Sequence, residues 1–184
     1  MASQMQKKQL ITIGIIAAYA TLAFVGTTIL RVPIPATGGY FNLGDTFVMA
    51  AALLHGPLVG GAVGLIGPAM ADAIGFPQFI LATAVVKGLE GIVVGNLSLG
   101  KGGRGSGLGT VVALISGIII LVGGYYIFEA MIYPALAKTV PFYGVTDAKA
   151  ALAEIGPNLL QGVLSAVIAF GIWRVFIGVK KNNR

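Results

Sequence analysis

The sequence predicts an all-α integral membrane protein, a compact bundle of six transmembrane helices with both termini cytoplasmic. Three observations predict it. Of 184 residues 57% are apolar and only 10% charged, with a mean hydropathy of +0.92, whereas soluble domains carry about 25% charged residues. Long uncharged runs recur along the chain. The basic residues fall largely on one side only when six crossings are counted. The length suits a single membrane domain over residues 1–184 and leaves no room for a separate soluble catalytic domain.

The first span is placed at 10–30. Lys7 and Lys8 precede a run of 21 uncharged residues from Leu10 to Leu30, longer than the roughly 7–15 of a signal-peptide core, and no clear small-residue cleavage site closes it. The next run, Thr46 to Ala71, is broken at His55-Gly56-Pro57, and Gly-Pro is a strong breaker. Charge separates one kinked span from two short helices. With two, Lys7, Lys8, Lys101, Arg104, Arg174, Lys180, Lys181 and Arg184 lie inside, Arg31, Lys138 and Lys149 outside, and Lys87 in the membrane. With one, the bias reverses. The spans are therefore 10–30, 43–55, 58–74, 78–97, 107–133 and 156–178. Span 43–55 reaches only about 20 Å of a hydrocarbon core near 30 Å, so neighbouring protein must cover it and spans two and three form a tight hairpin. Glycine makes up 28 residues, about twice the usual share. Gly60, Gly64 and Pro68, and Gly88, Gly91 and Gly95, recur at helical spacing and allow close backbone approach.

Composition also excludes chemistry. Twelve basic against six acidic residues is an excess that belongs to cytoplasmic loops in a membrane chain, and no nucleic-acid partner is expected. Zero cysteines and a single His leave no thiol nucleophile and no metal site. Gly100-Lys-Gly-Gly-Arg-Gly105 spells G-x-G-x-x-G, but it joins two membrane spans rather than a strand and a helix, and reads as a basic loop. No G-x-x-x-x-G-K-[ST] occurs, so any ATP drive must come from partners.

Ionisable side chains inside spans are costly and suggest function by default. Asp45, Asp72 and Glu129 all fall in the outer leaflet. Lys87 and Glu90 lie roughly 13 and 18 Å deep on span four, at i and i+3 on one face. Two readings stand side by side: a self-satisfied Lys87–Glu90 pair that holds the bundle together, or a Lys87 that faces a cavity open to the outside. Asn42, Gln78, Thr83, Tyr125, Tyr126, Tyr133, Asn158 and Gln161 at matching depth describe an apolar pocket with a few convergent polar groups, the usual character of a small-molecule site. Arg31 to Tyr40, with two prolines and two glycines, is either a lid over it or a connector.

With these residues laid out, the chain resembles the substrate-binding S component of an energy-coupling factor (ECF) vitamin transporter. Tyr40-Phe-Asn-Leu-Gly-Asp45, Ala50-Ala-Ala-Leu-Leu-His-Gly-Pro57 with a Gly-rich third span ending Ala71-Asp72, and Lys87-Gly-Leu-Glu-Gly91 look like the branch for riboflavin, hydroxymethylpyrimidine and vitamin B6-like ligands. The resemblance implies a high-affinity subunit in a prokaryotic plasma membrane. It would capture a vitamin or precursor from outside, without a cofactor of its own. Its partners would be a membrane scaffold subunit and two cytoplasmic ATPases. Tyr40, Tyr125 or Tyr126 would stack on a flat heterocycle, and Asn42, Asp45, Asp72, Thr83, Lys87, Glu90, Glu129, Asn158 and Gln161 would supply polar contacts. Lys87, Glu129 and Asn158 come first because three spans can bring them together. The family docks on its scaffold through an A-x-x-x-A pattern on span one. Here the nearest match is Gly14-Ile-Ile-Ala-Ala18, so Gly14 and Ala18 are the expected docking residues.

Two other classes compete. A self-contained proton-coupled transporter would relay protons through Lys87, Glu90 and Glu129, but no inverted repeat or matched pair of broken helices is visible. A membrane enzyme would need a nucleophile, metal or acid–base set, and His55, on the cytoplasmic turn, supplies none.

Overall fold

The computed structural model describes residues 2–35, 38–99, 107–144 and 146–182. The Gly100–Gly105 segment with Lys101 and Arg104 lies outside these residues, as does Arg184. The described chain forms α1 (Ala2–Ile29), a hairpin of β1 (Val32–Ile34) and β2 (Gly39–Phe41), α2 (Asp45–His55), α3 (Pro57–Gly75), α4 (Ile80–Leu99), α5 (Gly107–Ile127), a π turn (Phe128–Ile132), α6 (Tyr133–Ala137) and α7 (Ala148–Asn182). Five of the long helical segments are apolar enough to cross a membrane. The sixth, α2, has 11 residues, or about 16 Å, and is buried along most of its length, as its shortness requires.

Gly56 separates α2 from α3. Its φ of 88° lies where a side chain would be strained, and Pro57 opens the next helix with a φ already set. The two helices fold back as a hairpin. Helices α3 and α4 then pack backbone on backbone: a Cβ on Gly64 would sit 2.0 Å from the Lys87 carbonyl oxygen, and one on Gly91 would sit 2.2 Å from that of Gly60. Only glycine permits this approach.

Several boundaries differ from expectation: α1 already begins at Ala2 rather than 10, and α7 runs on to Asn182 rather than 178. Span five continues through the π turn into α6, and the α pattern is interrupted next to Pro134, which has no N–H to give the carbonyl four residues back. Tyr133 N–H bonds Phe128 O instead, five residues back. The last helix begins at Ala148 rather than 156, because Asp147 caps it through Ala150 N–H at 2.8 Å, and Pro157 is carried inside. This places Glu154 within the bundle. Three apolar clusters surround the polar interior. Met49, Val94, Leu114 and Trp173 fill one end, Phe79, Val86, Leu121 and Tyr133 the other, and Val48, Val59 and Val63 back onto α1.

Candidate ligand-binding site

The hairpin end of the bundle encloses a cavity of about 20 Å³, room for about one water. Thr27, Gly39, Tyr40, Asn42, Pro68, Asp72, Phe79, Thr83, Lys87, Tyr125, Glu129, Glu154, Asn158 and Gln161 line it. Lys87, Glu129 and Asn158 do converge here, from α4, the π turn and α7. The π turn is an irregularity that recurs at functional sites; Glu129, its second residue, lines the cavity.

The polar groups are bonded to one another. Lys87 Nζ donates to Asp45 Oδ1 in an ion pair whose partners are 1% and 0% exposed. Gln161 Nε2 donates to Asp45 Oδ2 at 2.7 Å, and Gln161 Oε1 accepts from Asn42 N–H at 2.7 Å. Asn42 Oδ1 in turn accepts from Gly44 N–H at 2.8 Å and Thr27 Oγ1 at 3.4 Å. The Thr83 and Tyr125 hydroxyls share a hydrogen bond of 2.8 Å, and Lys87 Nζ lies 5.4 Å from the Tyr125 ring centroid, within cation–π range.

Of the described residues of the first outer loop, Gly39 and Tyr40 line the cavity, and Arg31 and Tyr40 tie the hairpin to the bundle. Tyr40 OH donates to Asp72 Oδ1. Burial and the Asp72 carboxylate push the phenol well above its usual range, so it remains a donor. Arg31 lies 5.0 and 5.2 Å from the ring centroids of Tyr40 and Phe76 and donates to the carbonyls of Ala71 at 2.7 Å and Thr27 at 3.3 Å. Helix-end carbonyls favour such a cation.

Four expectations are corrected or sharpened. Lys87 pairs with Asp45, not Glu90, because α2 brings its first residue against α4. Glu90 is fully buried beside Asp45 and Lys87 and does not line the cavity. Asp45 also lies off the cavity wall and serves as anchor for Lys87 and Gln161. Tyr126 and Gln78 are not brought to the cavity; Tyr126 follows Tyr125 by about 100° around the helix. Tyr133 is buried in the aromatic cluster, its hydroxyl accepting from Ala82 N–H at 3.3 Å.

Five lining residues were missed: Thr27, Gly39, Pro68, Phe79 and Glu154. Glu154 fell outside the span assigned to 156–178, although Glu154, Asn158, Gln161 and Ser165 recur at helical spacing, which marks one face. Its carboxyl lies against that of Glu129, and Asn158 Nδ2 donates to Glu154 Oε2 at 3.4 Å.

The architecture is that of a helical membrane bundle with a buried polar cavity beneath a β-hairpin. Residues 4–175 match the model of the family "ECF-type riboflavin transporter, S component", and the chain belongs to that family. It is a multi-pass protein of the prokaryotic plasma membrane. The family comprises substrate-binding subunits of vitamin transporters, not enzymes, which work with scaffold and ATPase subunits. A protein of Pyrococcus woesei described as an uncharacterized protein in the gap 3′ region is 44% identical over 120 residues, 65% of this chain and 78% of its own. The fold matches the solved S component of a bacterial ECF transporter with a TM-score of 0.67, over 96% of this chain and 99% of that one, at 21% identity.

Proposed function

We propose that the chain captures a small heterocyclic vitamin or precursor at the outer face of the membrane, vitamin B6 or hydroxymethylpyrimidine in first place and riboflavin second. It then passes the ligand inward with a scaffold subunit and two ATPases as partners. The observation that carries this reading is the convergence of Lys87, Glu129, Asn158 and Tyr125 on one cavity beneath the lid. The Tyr125 ring beside the Lys87 ammonium suits a flat heterocycle, and the surrounding donors and acceptors suit its hydroxyl groups. A single ring requires less rearrangement of so small a cavity than a three-ring flavin.

In the closed state the protein's own groups stand where ligand groups would. Tyr40 OH holds Asp72 as a ligand hydroxyl could, so entry exchanges one hydrogen bond for another. Gly14 and Ala18 are exposed on one face of α1, and a Cβ on Gly14 would meet nothing within 4 Å. That free, small-residue face suits a scaffold helix.

The test is native mass spectrometry of the purified chain, followed by thermal-shift titration with pyridoxine, hydroxymethylpyrimidine, thiamine, riboflavin and pantothenate. A saturable shift with one of them names the substrate. No retained molecule and no shift with any would overturn the reading. A stand-alone proton-coupled transporter draws support from the fully buried Glu90 carboxyl within the bundle. Uptake by the chain alone in ATP-free vesicles under a proton gradient would establish it.

A further inference from the structure

We propose that Glu129 and Glu154 form a subsite that selects a nitrogen donor on the ligand, an amine or ring-bound amino group, and rejects phosphorylated forms. The inference rests on the vitamin-binding reading and names the chemical class that the site takes.

Both acids are buried, Glu129 at 1% and Glu154 at 4% exposure, and both line the cavity. The Glu129 carboxyl lies against that of Glu154, with which it interacts, and only its Oε2 atom is left without a hydrogen-bond partner. A buried carboxyl oxygen left in this way costs free energy that a donor brought by a ligand would recover. Nearby cations are already engaged: Lys87 with Asp45, and Arg31 with the carbonyls of Ala71 and Thr27. The wall thus presents the acids Asp72, Glu129 and Glu154 against the single ammonium of Lys87. A protonated or strongly polarised N–H group entering at the Glu129 end gains charge-assisted hydrogen bonds. A phosphate dianion there would face carboxyl oxygens in a water-poor space, where repulsion is little screened.

The neutral end is different in kind. Lys87, Asp45, Gln161 and Asn42 form a chain in which charge and hydrogen bonds are already balanced, so the Glu129 end carries the discrimination between amine and alcohol.

Two matched pairs of probes test this on the purified full chain. Pyridoxamine is compared with pyridoxine, and 4-amino-5-hydroxymethyl-2-methylpyrimidine with its 4-hydroxy counterpart, with pyridoxamine 5′-phosphate and riboflavin alongside. The expected result is that the amine of at least one pair binds about tenfold tighter or more than its partner, as charge-assisted bonds allow, while the phosphate gives no shift. Glu129→Gln should bring that pair within about threefold, because its amide retains the shape but not the charge. The comparison of ligands needs no variant, so a misfolded Glu129→Gln leaves it decisive, and Glu154→Gln provides a second substitution. Binding of riboflavin, pyridoxine or the phosphate with no amine preference in either pair would overturn the subsite and leave the vitamin-binding reading standing. Binding of none of the probes would overturn both.

Discussion

Gln161 on α7 donates its amide N–H to the carboxylate of Asp45, the first residue of α2, at 2.7 Å, while the other oxygen of that carboxylate holds Lys87. Asp45 is thereby the knot that ties α2, α4 and α7 together at the floor of the cavity. One short helix, too short to cross a membrane, thus fixes the position of the only ammonium that the described residues bring to the cavity wall.

Removing one member of this pair should cost more than removing both. Lys87→Met leaves Asp45 a buried charge without a cation and should lower stability by about 3–5 kcal/mol, seen as a fall in melting temperature. The double variant Lys87→Met/Asp45→Asn should recover most of that loss while ligand affinity stays about tenfold down or more. Full affinity in the double variant would reduce Lys87 to a packing role.

Gly64→Ala should be severely destabilising, by about 1–3 kcal/mol or more, because the added methyl meets the Lys87 backbone at 2.0 Å. Gly14→Ala, on an open helix face, should be neutral or stabilising by up to about 1 kcal/mol. Melting curves of the two variants side by side check the contrast, and equal melting temperatures would contradict the packing described for α3 and α4.

The Tyr40 contribution to the lid should be insensitive to rising pH until strongly alkaline conditions. Burial and Asp72 raise the Tyr40 phenol above its usual 10.0, so its contribution is fully present below about pH 10 and is lost as pH rises through the folded value. Hydrogen exchange in Val32–Ile34 and Gly39–Phe41 should therefore show the same opening free energy from pH 6 to 9, after correction for intrinsic exchange rates. Tyr40→Phe should speed ligand release by about tenfold, the scale of a lost hydrogen bond to a charged group. An unchanged release rate would remove Tyr40 from the lid's latch.

Substitution of the free α1 face should separate binding from transport. Gly14→Leu and Ala18→Leu are expected to leave ligand affinity of the isolated chain within about twofold, since surface changes are usually small, yet to abolish co-purification with a scaffold subunit and uptake in cells. Normal uptake by the double variant would place docking elsewhere.

Most of the architecture was legible because its causes are local. Gly56-Pro57 announced a break, the balance of Lys and Arg fixed the number of crossings, and glycines at helical spacing announced the α3–α4 contact. The convergence of Lys87, Glu129 and Asn158 followed from their depth and from their lying on three different spans. The partner of Lys87 did not, since the choice between Asp45 and Glu90 depends on how α2 crosses α4, a tertiary fact with no sequence period. Glu154 was obscured because its charge ends the uncharged run from which the last span was placed, whereas the Asp147 cap starts the helix earlier and packing carries Pro157 inside. Tyr126 was included with Tyr125 because adjacent residues share depth, but they do not share a face.

The glycine contact between α3 and α4 has a consequence for how such a protein can change its cargo. Where two backbones touch, there are no side chains to exchange, and any enlargement would force apart the helices that carry Asp72, Thr83 and Lys87. New specificity must therefore arise from side chains that line the cavity, such as Thr83, Tyr125, Glu129, Glu154 and Asn158, and not from the glycine seam. A library confined to those positions would explore new ligands on an unchanged chassis, whereas one that reached Gly60, Gly64 or Gly91 would mostly return chains that do not fold.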